Sequence, residues 1–94
     1  MYFRPEAEQD IKDASAWYEK QKIHLGLEFI QEVEKLTKVI SENPLMHTTI
    51  YKHLHRATVK KFPFNIFYLV EEGFIVIVAI IHGSRHPKKW KTRT

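Results

Sequence analysis

The chain of 94 residues contains no cysteine, which excludes a disulfide framework and a thiolate metal site. That absence fits a cytoplasmic protein. It also lacks a long hydrophobic run. IVIVAII, at 75–81, has seven residues, against the roughly 20 a membrane-spanning helix needs, so no membrane role is expected. The opening MYFRPEAEQD places acids where a secretory signal would be apolar. The histidines show no ligand spacing with acids, so neither a metal nor another cofactor is called for. No repeat and no interdomain linker interrupts the chain, and its length suits one domain over 1–94.

Acid is scarce in the second half. Residues 52–94 carry nine Lys/Arg and two Asp/Glu, whereas residues 1–51 carry six Lys/Arg and nine Asp/Glu. The halves have opposite net charge, which bears on partners rather than on fold. A polyanion or an acidic protein suits the positive half.

Local patterns give an order of elements. MYFR, with aromatic residues before a proline, reads as a short strand. PEAEQDIKDASAWYEKQ reads as a helix: Pro5 fits a first turn, Glu6, Glu8 and Asp10 suit the positive end of the dipole, and Ala7, Ile11, Ala14 and Tyr18 make one stripe with Trp17 beside it. IHLGLEFIQEVEKLTKVISENP reads as a second helix with Leu27, Ile30, Val33, Leu36 or Thr37, and Ile40 inward, stopped at Asn43-Pro44. The short join near 21–24 predicts an antiparallel pair. LMHTTIYKH reads as an irregular lead-in. HLHRATVKK alternates, FNIFYLVE is rich in aromatic and branched residues, Glu71-Glu72-Gly73 suits a tight turn, and FIVIVAIIH reads as a central strand covered on both faces. The expected class is α+β: a short N-terminal strand, an antiparallel helix pair, then a three-stranded antiparallel sheet packed against the helices.

Period two places Arg56, Thr58 and Lys60 on one strand face, and Arg85 follows the central strand directly. With the helices on one sheet face, these residues are expected to line a shallow concave surface on the other. Asn65 either faces that surface or satisfies a local backbone group. His82 reads as a half-buried, satisfied histidine or as a proton carrier; His86 as a surface residue or a second carrier; His53 and His55 add two more. Gly83 reads as serving backbone geometry at the strand exit. Lys88, Lys89, Lys91 and Arg93 form a charged tail. Trp90 within it either packs back onto the sheet or anchors an interface. Tyr18, Phe29, Phe64, Phe67, Phe74 and Trp17 read mainly as core.

FRPEAEQDI, ISENP and HRATVKKFPFNIFYLVEEGFIVIVAIIHGSRHPKKW together resemble the RelE/ParE superfamily of bacterial toxins, closer to the ParE branch. The resemblance spans essentially the whole chain. It implies a type II toxin whose partner is a cognate antitoxin protein. It also implies a target: DNA gyrase for the ParE branch, or the translating ribosome with its mRNA for the nuclease branch. Carried over residue by residue, the nuclease branch's basic strand positions fall on Arg56, Thr58 and Lys60. Its central arginine falls on Asn65 and its post-strand arginine on Arg85. Its C-terminal tyrosine falls near Trp90 or Lys91, and neither is a tyrosine. RNA cleavage needs an activated 2′-hydroxyl, a stabilised phosphate and a protonated leaving oxygen. Arginine serves only the phosphate, so a nuclease here would need Lys60, His82 or His86 for proton transfer. The expected reading is a toxin that acts by binding, with Arg56, Lys60, Asn65, Arg85, Lys88, Lys89, Trp90 and Lys91 as contacts to target or antitoxin; the alternatives are a ribosome-dependent mRNA endonuclease and a non-toxic basic binding module.

Overall fold

The computed structural model describes residues 1–85 and 87–93. Strand β1 (Tyr2–Phe3) leads into helix α1 (Pro5–Gln21) and helix α2 (Leu25–Glu42). Strands β2 (Thr49–Tyr51), β3 (Leu54–Thr58), β4 (Phe64–Glu71) and β5 (Phe74–His82) follow, and a one-turn helix α3 (Lys88–Lys91) comes last. The sheet has five strands in the order β1-β5-β4-β3-β2. The expected three-stranded antiparallel unit is its centre. β1 adds to β5 in parallel, at Tyr2↔Val76 and Phe3↔Ile77. Thr49–Tyr51, read from sequence as irregular, is instead a short antiparallel edge strand on β3. Its mixed text hid it because only Ile50 packs inward from it.

Pro5 opens α1 where its missing N–H costs nothing, and Ala7 and Ala14 are its buried residues. Their small side chains let α1 lie close to the sheet. In α2 the buried residues are Gly26, Phe29, Glu32, Val33 and Ile40, while Leu27 is exposed. The inward stripe is therefore centred on Phe29 rather than on Leu27. Gly26 is where the helices touch: a Cβ there would sit 2.4 Å from the Ser15 carbonyl oxygen. The turn between the helices bends through His24, at φ 69. The Glu19 carboxylate caps it, accepting the backbone N–H of His24 at 2.9 Å and of Gly26 at 3.0 Å. Those N–H groups would otherwise be orphans at the start of α2. At its far end, Asn43 has φ −141 and is not left-handed. The helix stops because the residue before a proline is driven out of the helical region.

The sheet buries both faces. On the helix side, Ile66, Tyr68, Ile77 and Ile80 join Phe29 and Ile40 in the main core. Each such side chain contributes roughly 1.5–3 kcal/mol on burial. On the outer side, Leu54, Phe67, Val76, Val78, Ala79 and Ile81 form a second cluster. β5 serves both by alternation, and a bulge interrupts it: Phe67 pairs with Ala79 and Tyr68 with Ile77, leaving Val78 unpaired. Val78 and Ala79 therefore both turn outward, and the alternation resumes one residue out of phase. Glu71 pairs with Phe74 across a two-residue turn in which Gly73 takes φ 84, as the Glu-Glu-Gly text predicts. Phe74 and Trp17, expected in the core, are exposed.

Candidate binding surfaces

The C-terminal end of β5, helix α1 and helix α3 enclose a cleft of ≈ 810 Å³. Trp17, Tyr18 and Phe64 form its aromatic wall, and Asp13, Arg85 and Lys89 stand at its polar rim. Trp17 is 58% exposed and meets Tyr18 edge-on at 5.1 Å. It lies about 100° around the helix from Tyr18, so it falls off the buried stripe and onto the cleft. Burial pushes the Tyr18 hydroxyl above its ordinary pKa.

The strand exit is tightly built. Gly83 N–H donates to the Pro63 carbonyl at 2.7 Å, and Arg85 N–H to the His82 carbonyl at 3.0 Å. Gly83 does not have positive φ, and a Cβ there meets only ordinary contacts, the nearest 3.5 Å away. Its backbone thus ties the strand exit to Pro63, but neither φ nor space requires that the residue be glycine. His82 packs edge-on against Phe64 at 5.3 Å. Its Nδ1 accepts the Ser84 N–H at 3.1 Å and faces the Ser84 hydroxyl at 2.8 Å. That arrangement leaves the ring proton on Nε2. Arg85 is exposed, and its guanidinium makes no ion pair among the described residues. His86 lies outside the described residues.

One ion pair closes the base of the cleft. Arg93 Nη1 and Nη2 donate to the two carboxylate oxygens of Asp10 at 2.6 and 3.2 Å. The Asp10 hydrogen bond holds the guanidinium above its usual pKa. The same carboxylate accepts the Ile80 N–H at 2.9 Å, and Arg4 donates to the Arg93 carbonyl. β1 covers only two residues of this strand edge, and the Asp10–Arg93 pair covers part of the remainder. Arg93, in sequence part of a charged tail, is instead clamped to the body of the protein.

The outer sheet face differs from expectation. It is not an open concave surface uniting Arg56, Thr58 and Lys60 with Arg85. Trp90 of α3 covers its middle, stacked on Phe67 at 5.2 Å and 19°. Arg56 sits beside this stack, in register with Phe67, and is exposed. Thr58 donates its hydroxyl to Asn65 Oδ1 at 3.0 Å, so Asn65 faces outward and is satisfied locally. Lys60 is exposed in the turn beyond β3. Lys88, Lys89 and Lys91 lie on α3 rather than on a loose tail. Tyr51 joins the cluster, 6.0 Å from Trp90, with Lys52 and Lys91 ammonium groups 5.3 and 5.1 Å from its ring centroid.

The histidines scatter. His55 is buried, stacked on Tyr68 at 5.0 Å. Its Nδ1 lies 2.9 Å from the His47 carbonyl, so that nitrogen carries a proton. The Tyr68 hydroxyl donates to the Pro44 carbonyl at 2.7 Å, and burial raises its pKa. His55 is thus a core histidine that ties the segment after α2 to the sheet. His53 is exposed in the β2–β3 turn. Two features escaped the sequence, the Asp10–Arg93 clamp and the cations around Tyr51. Both join residues far apart in the chain, and no local spacing signals them.

An antiparallel helix pair laid across a sheet, with a cationic C-terminal end, fits the α+β arrangement that the RelE/ParE resemblance implies. A family model for the ParE toxin of the type II toxin–antitoxin system parDE matches residues 1–87, and the chain belongs to that family. It is the toxin component of such a system, with an antitoxin as its partner. Among solved structures, one described as the chromosomal ParDE TA system from P. aeruginosa is similar with a TM-score of 0.74. At 16% identity it covers 86% of this chain and 91% of that chain, which speaks for the fold. No curated protein matches at the same stringency. Among the described residues, no helix is long and apolar enough to cross a membrane.

Proposed function

We propose that this toxin arrests growth by binding DNA gyrase, the target its family resemblance implies, and that it does so without cutting RNA. The observation that carries this reading is the separation of the nuclease candidates. Arg56 lies on the outer sheet face, while Arg85 and His82 line the cleft beside α1. The Nδ1 of His82 is occupied by Ser84. Concerted acid–base chemistry needs its groups within hydrogen-bond reach of one phosphate, and opposite sides of a sheet do not provide that. Recognition has better support. An exposed tryptophan and an arginine share one cleft, and these residue types dominate binding energy at protein interfaces.

The test uses purified toxin in gyrase supercoiling and DNA-cleavage assays. Supercoiling should fall, or cleaved DNA accumulate, with toxin concentration. Arg85→Ala should weaken the effect on the order of tenfold, as for an arginine that anchors a contact, with unchanged melting temperature. Gyrase left untouched while translated mRNA gains new cuts would replace this reading with the ribosome-dependent nuclease.

A further inference from the structure

We infer that the outer sheet face around Tyr51 is a separate contact surface for the phosphate backbone of duplex DNA. Two cations from different elements meet at that ring, and a third stands on the same sheet face. Lys52, in the β2–β3 turn, and Lys91, on α3, place their ammonium groups 5.3 and 5.1 Å from the centroid of the same ring. Arg56 stands on β3 beside Phe67, the ring on which Trp90 stacks, and Trp90 in turn lies 6.0 Å from Tyr51. Lys52 is set by a left-handed backbone at φ 52, so the turn itself aims it. Neither Lys52 nor Arg56 forms an ion pair among the described residues.

The rest of the molecule orients this surface. All nine acids of the first half lie on α1 and α2, on the other side of the sheet. The remaining two, Glu71 and Glu72, are at the β4–β5 turn. A polyanion is therefore repelled by the helix layer and drawn to the strand layer. The aromatic rings select the kind of polyanion. Tyr51 already carries two ammonium groups and Trp90 is stacked on Phe67, so these faces do not receive unpaired bases. Single-strand binding surfaces depend on such free faces. An acidic protein segment would want a pocket for an apolar anchor, and the large cleft is beside α1 instead. What this face offers is fixed positive charge, which suits phosphates read without regard to sequence.

The inference goes beyond the gyrase reading and does not require it. Gyrase acts on duplex DNA, so a toxin with both surfaces would touch enzyme and substrate together. Fluorescence anisotropy with a labelled duplex and purified toxin, without gyrase, tests it. Binding should weaken linearly in log affinity against log salt. Lys52→Ala and Arg56→Ala should each weaken binding several-fold at low salt and reduce the slope by about one. Lys20→Ala, an equal loss of charge on α1, should leave affinity unchanged, and melting curves confirm that each variant is folded. The inference is overturned by no duplex binding at about 50 mM salt. It is also overturned if Lys20→Ala weakens binding as much as the other two, or if the double variant K52A/R56A binds like the parent. Tighter binding to a single strand of equal length would overturn it too, and polyglutamate competing as well as duplex would reassign the face to an acidic protein. Gyrase inhibition persisting in K52A/R56A, with DNA binding lost, would leave both readings standing.

Discussion

Arg93 and Asp10, 83 residues apart, form a bidentate ion pair with a shortest contact of 2.6 Å. Their side chains are 19% and 16% exposed, so water screens the pair only partly. Besides pairing with Arg93, Asp10 accepts the Ile80 N–H at the edge of β5. Arg93→Ala leaves Asp10 without its cation and should cost about 2 kcal/mol, the worth of charge-assisted hydrogen bonds. A lower urea midpoint at pH 7, little altered by added salt, is the expected result; an unchanged midpoint would show the clamp to be incidental.

Gly26→Ala should be among the most damaging small substitutions. The new Cβ would fall 2.4 Å from the Ser15 carbonyl, and a helix backbone yields little. Overpacking of this kind costs about 1–3 kcal/mol. Gly83→Ala is the matched control, since its Cβ finds ordinary contact distances; it should stay within about 0.5 kcal/mol of the parent. Comparing the two denaturation curves checks both statements.

Glu32 supplies a pH dependence. Its side chain is 6% exposed, and burial alone would raise its pKa. The hydrogen bond and charge of Lys35 at 3.3 Å, together with Lys61 at 3.6 Å, outweigh burial and hold the carboxyl below its ordinary range. A lowered folded-state pKa stabilises the fold above the unfolded pKa, and that stability is lost as pH falls through the folded value. Glu32→Gln should therefore be less stable than the parent at pH 7, with the gap narrower at about pH 3, below the ordinary glutamate range. Lys61 sits at φ 70, a strained place for a lysine, so loosening of the 59–63 turn should accompany the change. Urea midpoints at the two pH values decide the matter: a gap that does not narrow would mean the carboxylate charge contributes nothing.

Trp90→Ala removes the cover from the second cluster. The ring stacks on Phe67 and leans on Tyr51, and α3 has no other apolar anchor. Because Trp90 is only half-buried, a loss of about 2 kcal/mol is expected, below the 3–5 of a fully buried aromatic. Binding of a hydrophobic dye should rise as Phe67 and Ile81 become accessible. Unaltered stability and dye binding would mean that α3 contributes no cover.

Much of this protein is written locally. The stripe Ala7, Ile11, Ala14, Tyr18 repeats at helix spacing because only that spacing lets one face reach the core. Arg56 and Thr58 alternate with His55 and Ala57 because a pleated strand sends neighbours to opposite faces. Glu72-Gly73 closes a hairpin because glycine takes positive φ without steric cost. These are short-range rules, and they sufficed for both long helices, for β3, β4 and the turn at Gly73, though not for the edge strand Thr49–Tyr51.

The functional surfaces followed no such rule. Arg56 and Arg85 look equivalent in the text, basic residues beside apolar strands, yet they end on different sides of the sheet. Trp90 covers the outer face, and the cleft forms where α1 crosses the end of β5. The bulge at Val78 shifts which residues of β5 face which way, and period two cannot anticipate it. Asp10 meets Arg93, and Tyr51 meets Lys91, only once the C-terminal helix folds back over the sheet. The sequence alone determined the two long helices, the three central strands, their order and the sign of charge each half carries, because those depend on neighbours in the chain. Tertiary structure alone decided which charges stand together and which aromatic stays exposed, because those depend on where packing brings distant residues to rest.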